Sequence, residues 1–441
     1  MADNTLSTWD AFLFEMKGKV HEVFPSEAPF LAELSGFSST KGMVDHASSV
    51  QRISRDMDGG RDIFSGRQVR HTIILAGLQG GGWTTEAGTW NVPHVLSSDE
   101  VVIKLCRALV PFSVSVDVER DSFDNSNATA VATLIQQARS ALCRQENLTF
   151  LGIGTGNVQA VTAATGSPGL VVPVGTGANF DVLLPGTVWD IATVSTGVTT
   201  TGGDRRKIAS VQESAGTVTF DTAAQASDGD SGAITFAATD AIYIPGSEST
   251  PALAGTVAAQ GLGQAAAITG TFETIDKAAV AQWQGTDGRA GDTATTALSA
   301  VMLDGGVRRG RRSGLGKWDF GLGDPAAIDL YKQSLYSLAR YDPQVTTLKS
   351  GFSGIAYDGG DAPFPLIKEP MHPKGGLKLI DLASFQLYGD QAGPSFLEDD
   401  GSMFRRFNRS LPKEAELLDR VQLGVTKCNT IVFFNNLAVA A

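Results

Sequence analysis

The residues best placed to do chemistry are one serine, two glycine-rich turns and an acidic loop. GDSGA, residues 229–233, imitates the nucleophile loop of a serine hydrolase, so Ser231 would need a histidine to take its proton and a carboxylate to orient that histidine. His21, His46, His71, His94 and His372 all lie outside the β-rich segment that holds Ser231, and none sits in a base motif. A hairpin turn explains GDSGA more simply. GIGTGN, residues 152–157, has dinucleotide-loop glycines, but it follows a helical pattern. A pyrophosphate-binding loop must follow a strand and open a helix. GLGKW, residues 314–318, has the lysine of a phosphate loop without its spacing or its Ser/Thr. DMDGGRD, from Asp56, fails as a calcium loop because Arg67 stands where the bidentate glutamate belongs. The reading is therefore no catalytic residue, no cofactor and no metal.

Cys106, Cys143 and Cys428 are odd in number and far apart, which fits buried thiols rather than a disulfide framework or a zinc site. A formal charge of −12 over 441 residues makes the surface acidic on balance, so contact with nucleic acid must be local. The one basic cluster is RRGRRSGLGK, residues 308–317. It reads as a glycine-loosened loop, open to solvent, to packaged nucleic acid or to a neighbour's carboxylates. No stretch approaches 18 consecutive apolar residues, so no membrane partner is expected.

The elements that would carry these residues divide the chain unevenly. Residues 1–50 scatter Trp9, Phe12, Leu13, Phe14, Phe24, Phe30 and Leu31 among prolines and polar spacers, too sparse to bury themselves, which predicts an arm lying on a neighbour. Residues 51–99 read as a long hairpin: alternating VRHTIIL, then GLQGGGWTTEAGTWNVP, then VPHVLSS. A two-stranded ribbon is marginal in water, so something else should cover it. Trp83 and Trp90 have no obvious core within such a ribbon.

Residues 100–165 hold an alternating strand (Phe112, Val114, Val116, Val118) and the strongest helical pattern in the chain. That pattern places Ala128, Val131, Leu134, Ile135, Ala138 and Leu142 on one face and Gly152 at its end. Residues 166–250 turn to Gly, Thr, Ser and Val in short alternating runs (VWDIATV, RKIASV, GTVTFDT, GAITFAA, AIYIPG), the pattern of an inserted barrel-like β-domain. Helices are predicted over 293–303 and after Asp324-Pro325, and strands at GGLKLIDL, SFQLYG and TIVFFNNLA. The fold class is α+β with an all-β insert.

Taken in order, the arm, the ribbon, WTTEAGTWNVPHVLSSDEVVIKLCRALVPFSVSVDVERDS and the long helix resemble the major capsid protein of tailed double-stranded DNA bacteriophages. The resemblance rests on the W-x-x-E centre at Trp83 and Glu86, the strand that follows, and Asp121-Ser122 ahead of the helix. It continues in GTFETIDKAAVAQWQGT, with Trp283 and Gly285, and in PFPLIKEPMHPKGGLKLIDLASFQLYG, with Pro370 and Asp381.

The resemblance implies an N-arm (1–50), an extended loop (51–99), a peripheral domain with a spine helix (100–165, with return strands 376–441), the β-insert (166–250) and an axial domain (251–375). It implies that the chain partners itself in hexamers and pentamers of an icosahedral head enclosing DNA, within the virion, assembled in a bacterial cytoplasm. A portal, a separate scaffolding protein and a decoration protein would be further partners, with only local contact to DNA. Assembly contacts would then fall on Trp83, Glu86, Trp90, Arg67 and Arg70 of the ribbon. Glu398, Asp399, Asp400, Arg405 and Arg406 would add salt bridges between subunits, or form a solvated turn. Residues 51–98 contain no lysine, so no isopeptide crosslink from this loop is expected. Two other functions stay open: a nanocompartment shell holding an enzyme cargo, and a hydrolase using Ser231.

Overall fold

The computed structural model describes residues 29–35, 52–54, 63–65, 68–76, 97–114, 126–153, 156–163, 169–194, 200, 203–222, 232–247, 258–336, 345–347, 353–358, 363–389, 394–397 and 413–439. Five helices lie among them: α1 (Pro29–Ser35), α2 (Ser126–Leu151), α3 (Leu262–Ala266), α4 (Ala300–Gly314) and α5 (Pro325–Tyr336).

A five-stranded sheet is organised by one strand that the sequence reading did not single out, Lys413–Val425. It pairs antiparallel with Phe385–Gly389 on one edge and with Cys106–Val114 on the other, from Lys413 opposite Val114 to Val421 opposite Cys106. Ala415, Leu417 and Asp419 are buried at period two, as a half-covered strand requires, and from Val421 to Val425 every residue is buried, so that end is covered on both faces. The 26-residue α2 packs across this sheet through Ile135, Ala138, Leu142 and Cys143. It stops where expected, with the Gly152 N–H bonded to Leu148 O at 3.0 Å. GIGTGN is thus the turn leaving a helix.

The β-insert is a six-stranded sheet in the order Asn157–Ala160, Asp240–Tyr243, Val188–Thr193, Arg206–Gln212, Thr217–Phe220 and Val171–Pro173. It is not a closed barrel. Among the described residues the first and last strands meet through the Thr162 N–H bonded to Pro173 O at 2.9 Å, and no ladder joins them. Curling buries Val172, Trp189, Ile191, Ile208, Val218, Phe220, Ile234 and Ile242 on the inner face. Leu148 of α2 and Met371 also enter that core.

A separate seven-stranded mixed sheet runs from Thr286–Asp287 through Val432–Phe434, Leu377–Ile380, Phe320–Gly323, Phe364–Lys368 and Ser353–Tyr357 to Val345–Thr347. α5 starts at Asp324-Pro325 as expected, with Asp324 Oδ1 accepting from the Ala326 N–H at 3.1 Å. Two readings on the other helix are corrected. It does not span 293–303 but begins after Ser299, whose Oγ accepts from the Met302 N–H, and runs to Gly314. The cluster RRGRRSG is therefore helical rather than a loop. Its glycines serve close packing: a Cβ built on Gly310 would stand 2.4 Å from Val432 Cγ2 and 2.5 Å from Trp318 Cζ2. One on Gly306 would stand 2.3 Å from Phe434 Cζ. α4 ends at Leu315, which takes a left-handed φ of 54°.

Candidate assembly interface

The ribbon is real at its root. Gln68–Ala76 pairs antiparallel with Ser97–Lys104, from Gln68 opposite Lys104 to Ala76 opposite Ser97, and Ile63–Ser65 adds a third strand. Alternation splits its faces, with Val69, Ile73, Val101 and Ile103 buried and Arg70, Thr72 and Glu100 outward. The reading that little covers the ribbon is corrected here. Its buried face lies on the chain's own body, where Ile103 packs beside Tyr388 and Gly424. Each such side chain, fully covered, contributes about 1.5–3 kcal/mol.

A strained hairpin tip fastens the root. Glu273 and Thr274 link Thr271–Phe272 to Ile275–Asp276 with φ of 49° and 72°, the two-residue loop that fits strand twist and normally calls for Asn-Gly. Neither residue is at ease there, and both are held by their side chains. Thr274 Oγ1 accepts from the Val102 N–H of the ribbon at 3.2 Å, and Glu273 Oε1 accepts from the Val425 N–H of the long strand at 2.9 Å.

The arm reading is corrected at residues 29–35 only, since Trp9, Phe12, Leu13, Phe14 and Phe24 lie outside the described residues. Phe30, Leu31 and Leu34 of α1 sit in the chain's own main core, at 0%, 2% and 0% exposure. A buried carboxylate ties them down. Glu369 Oε2 accepts from the Phe30 N–H at 3.2 Å, while Oε1 accepts from Asn147 Nδ2 of α2 and from the Met371 N–H, both at 3.3 Å. Burial pushes this carboxyl up to about 7, against the pull of those three donors. Glu369 thus joins α1, α2 and the 369–372 turn.

Other buried ionisable groups are structural in geometry. Burial holds the Glu273 carboxyl well above its usual range and lowers Lys277, whose Nζ donates to Ala265 O and to Ala267 O. His372 is kept neutral by burial and by Lys378. Its Nε2 faces Lys378 Nζ at 3.3 Å and its Nδ1 faces Pro373 O at 2.9 Å, which assigns the ring proton to Nδ1. Lys378 is lowered by burial to about 8. Burial raises the Cys106 thiol to about 11 and pushes Cys143 and Cys428 up as well, so none offers a thiolate near neutral pH. Among the described residues no group of three His, Cys, Asp or Glu could hold a metal, and no helix is long and apolar enough to cross a membrane.

Of the residues expected at assembly contacts, Arg70 is placed on the outward face of the ribbon, 3.5 Å from Glu100, with both side chains about half exposed. An ion pair so exposed adds little to stability. Trp83, Glu86, Trp90, Arg67, Glu398, Asp399, Asp400, Arg405 and Arg406 lie outside the described residues, as do DMDGGRD and Ser231. Beside Ser231, the Gly232 N–H bonds to Thr222 O at 2.9 Å.

No protein-family model and no curated protein matches the sequence. Solved structures do. The cyanophage A-1(L) capsid subunit superposes with a TM-score of 0.50 over 94% of this chain and 94% of its own, at 12% identity. The chain has the phage capsid-subunit fold. Looser matches are the SrpI encapsulin of Synechococcus elongatus PCC 7942 (TM-score 0.39, 11% identity, 84% and 85% of the two chains) and a chain of Mycobacterium phage Adephagia (0.41, 9%, 90% and 90%).

Within this capsid fold the β-insert is docked, not dangling. Asn179 Nδ2 donates to Pro370 O and His372 O at 3.1 and 2.8 Å, and Arg144 of α2 donates to Val182 O at 2.6 Å. Asn179→Ala removes both bonds to the 370–372 turn and should cost about 1–2 kcal/mol. The check is limited proteolysis, in which the variant's insert should be clipped several-fold faster.

Sequence reasoning missed Glu369 and the α4 packing face. Both left a trace: a glutamate shortly after the apolar FPLI, and glycines at 306 and 310, four apart on one helical face.

Proposed function

We propose that this chain is the major structural subunit of a tailed-phage head, assembling as pentamers and hexamers into an icosahedral shell around double-stranded DNA. The observation that carries this reading is the capsid-subunit fold shared over 94% of both chains. The ribbon, whose root is fixed to the body and whose outward face stays polar, suits an element that meets neighbours by its far part. In this reading the partners are other copies of the chain, a portal, a scaffolding protein supplied separately and a decoration protein. The location is the virion, built in the host cytoplasm, and the chain acts without catalysis.

The test is the particle mass of the expressed chain with negative-stain microscopy. Shells, rings or tubes are expected, and Ser231→Ala should assemble as the unsubstituted chain does. A strictly monomeric species under all conditions defeats the proposal. Shells that copurify an enzyme cargo instead of DNA and a portal would turn it toward a nanocompartment.

A further inference from the structure

The arginines of α4 divide by what the fold does with them. Arg309 donates to Gly288 O, and the half-buried Arg311 lies in the last turn, where a cation complements the helix dipole. Arg308 and Arg312 are exposed and make no hydrogen bond or ion pair with any described residue. They stand four residues apart on the outward face, where like charges repel. Arg308 also lies before the last turn, out of reach of the dipole. Lys317, exposed as well, follows just past the helix end, its backbone N–H held by Asp381 Oδ2 at 3.4 Å. The carboxylates closest to these cations in the chain are engaged elsewhere. Asp304 Oδ1 accepts from the Tyr357 hydroxyl, Asp319 Oδ2 from the Leu382 N–H at 2.8 Å, and Asp381 Oδ1 from the Ala383 N–H at 3.2 Å.

We propose that Arg308, Arg312 and Lys317 form a docking track for the phosphate backbone of duplex DNA. The contact deepens the reading of a DNA-enclosing head and rests on it for the source of the ligand. Planar guanidinium groups give paired N–H bonds to phosphate oxygens, and a phosphate dissolves the repulsion between Arg308 and Arg312. The approach is open, because a Cβ built on Gly305 would meet only the Arg309 guanidinium, at 3.6 Å. The platform is rigid, because Gly306 and Gly310 on the opposite face press on Phe434, Val432 and Trp318. An acidic peptide needs an apolar anchor beside its charges. The exposed apolar side chains here, Val301 and Leu315, stand at opposite ends of the helix, about 21 Å apart at 1.5 Å per residue. A single strand needs exposed aromatic rings on which to stack its bases, and Trp318 beside this helix is buried. With a formal charge of −12 the whole chain repels DNA, so the contact is short-range, and it is blind to sequence because it reaches phosphates rather than base edges.

The experiment titrates a short random-sequence DNA duplex with the full chain and follows fluorescence anisotropy as salt is varied. Three phosphate contacts predict a slope of log affinity against log salt of about −2.7, a loss of about fortyfold between about 50 and 200 mM. Arg308→Gln alone should flatten that slope by about one. Arg308→Gln with Arg312→Gln should bring it to about −0.9 and weaken binding at about 50 mM salt by about tenfold. Lys104→Gln, which removes an exposed cation from the ribbon, should change neither quantity. Circular dichroism checks that each variant folds. The proposal is overturned if the unsubstituted chain does not bind at about 50 mM salt. It is also overturned if the double variant keeps the full slope, if Lys104→Gln flattens it equally, or if polyglutamate displaces the duplex at matched charge. Microscopy of the same samples separates the two readings. Shells without duplex binding would sink this contact and leave the head standing, while binding by a chain that never forms shells would do the reverse.

Discussion

Replacing Glu369 with glutamine should move stability relative to the parent by about 2–3 kcal/mol in the variant's favour between pH 5 and pH 8. The sign follows from burial. In the fold this carboxyl is raised from 4.5 to about 7, so the folded state binds its proton more tightly than the unfolded chain does. Stability is therefore undiminished below pH 4.5, falls as pH climbs toward 7, and above that carries the full penalty, about 3 kcal/mol. Glutamine keeps the shape and never ionises, but its amide nitrogen cannot accept, so one of the three N–H bonds is lost at every pH, a constant offset that the pH comparison cancels. His372 and Lys378, both kept toward their neutral forms, act in the opposite direction, with stability lost as pH falls through their unfolded values. The difference between parent and variant isolates Glu369, because those two groups are common to both. Denaturant unfolding at pH 5, 6, 7 and 8 is the measurement, and parallel curves across that range would remove Glu369 as the source. Since Glu369 holds the Phe30 N–H, protease access around α1 should follow the same profile.

The second large effect reverses an ordinary rule. Alanine in place of glycine inside a helix normally stabilises by about 1 kcal/mol. In α4 the double substitution Gly306→Ala, Gly310→Ala should instead destabilise by about 2–4 kcal/mol, net of that gain. Both new methyls would enter space already filled by Phe434, Val432 and Trp318, which are themselves locked in one buried core. Gly305→Ala is the internal control. Its Cβ meets only the Arg309 guanidinium, at 3.6 Å, so it should show the usual gain. Thermal melts of the three chains decide the matter, and a double variant as stable as Gly305→Ala would mean that α4 can lift off its sheet at little cost.

Legibility in the sequence followed how local the cause was. α2 and α5 could be read because their apolar spacing and boundary residues lie within the helices themselves, as Asp324-Pro325 shows. The insert's strands Val188–Thr193, Arg206–Gln212 and Thr217–Phe220 could be read from alternation between turns. The end of α4 was misjudged because its glycines look like breakers until Phe434, more than a hundred residues away, is seen to occupy the space that Gly306 leaves. The tip at Glu273 and Thr274 carries no turn residues. Its conformation is imposed by hydrogen bonds to Val425 and Val102, partners that no local pattern reveals. The burial of Phe30 and Leu34 escaped notice for the same reason, since their pocket is assembled from distant segments. The ribbon's root could be read, while the cover beneath it could not.

One contact bears on how such a chain could acquire or lose a part. Gly156, at a φ of 72°, lies so near Ser247 that a Cβ on it would stand 1.8 Å from Ser247 Oγ. The whole β-insert therefore departs and returns through a single doorway. A cut there needs only a short splice to rejoin the remaining chain, and a foreign module whose ends abut could be sewn in its place. Whatever replaced it would inherit one obligation, to roof over Leu148, which the present occupant buries, and to lean on the half-buried Met371.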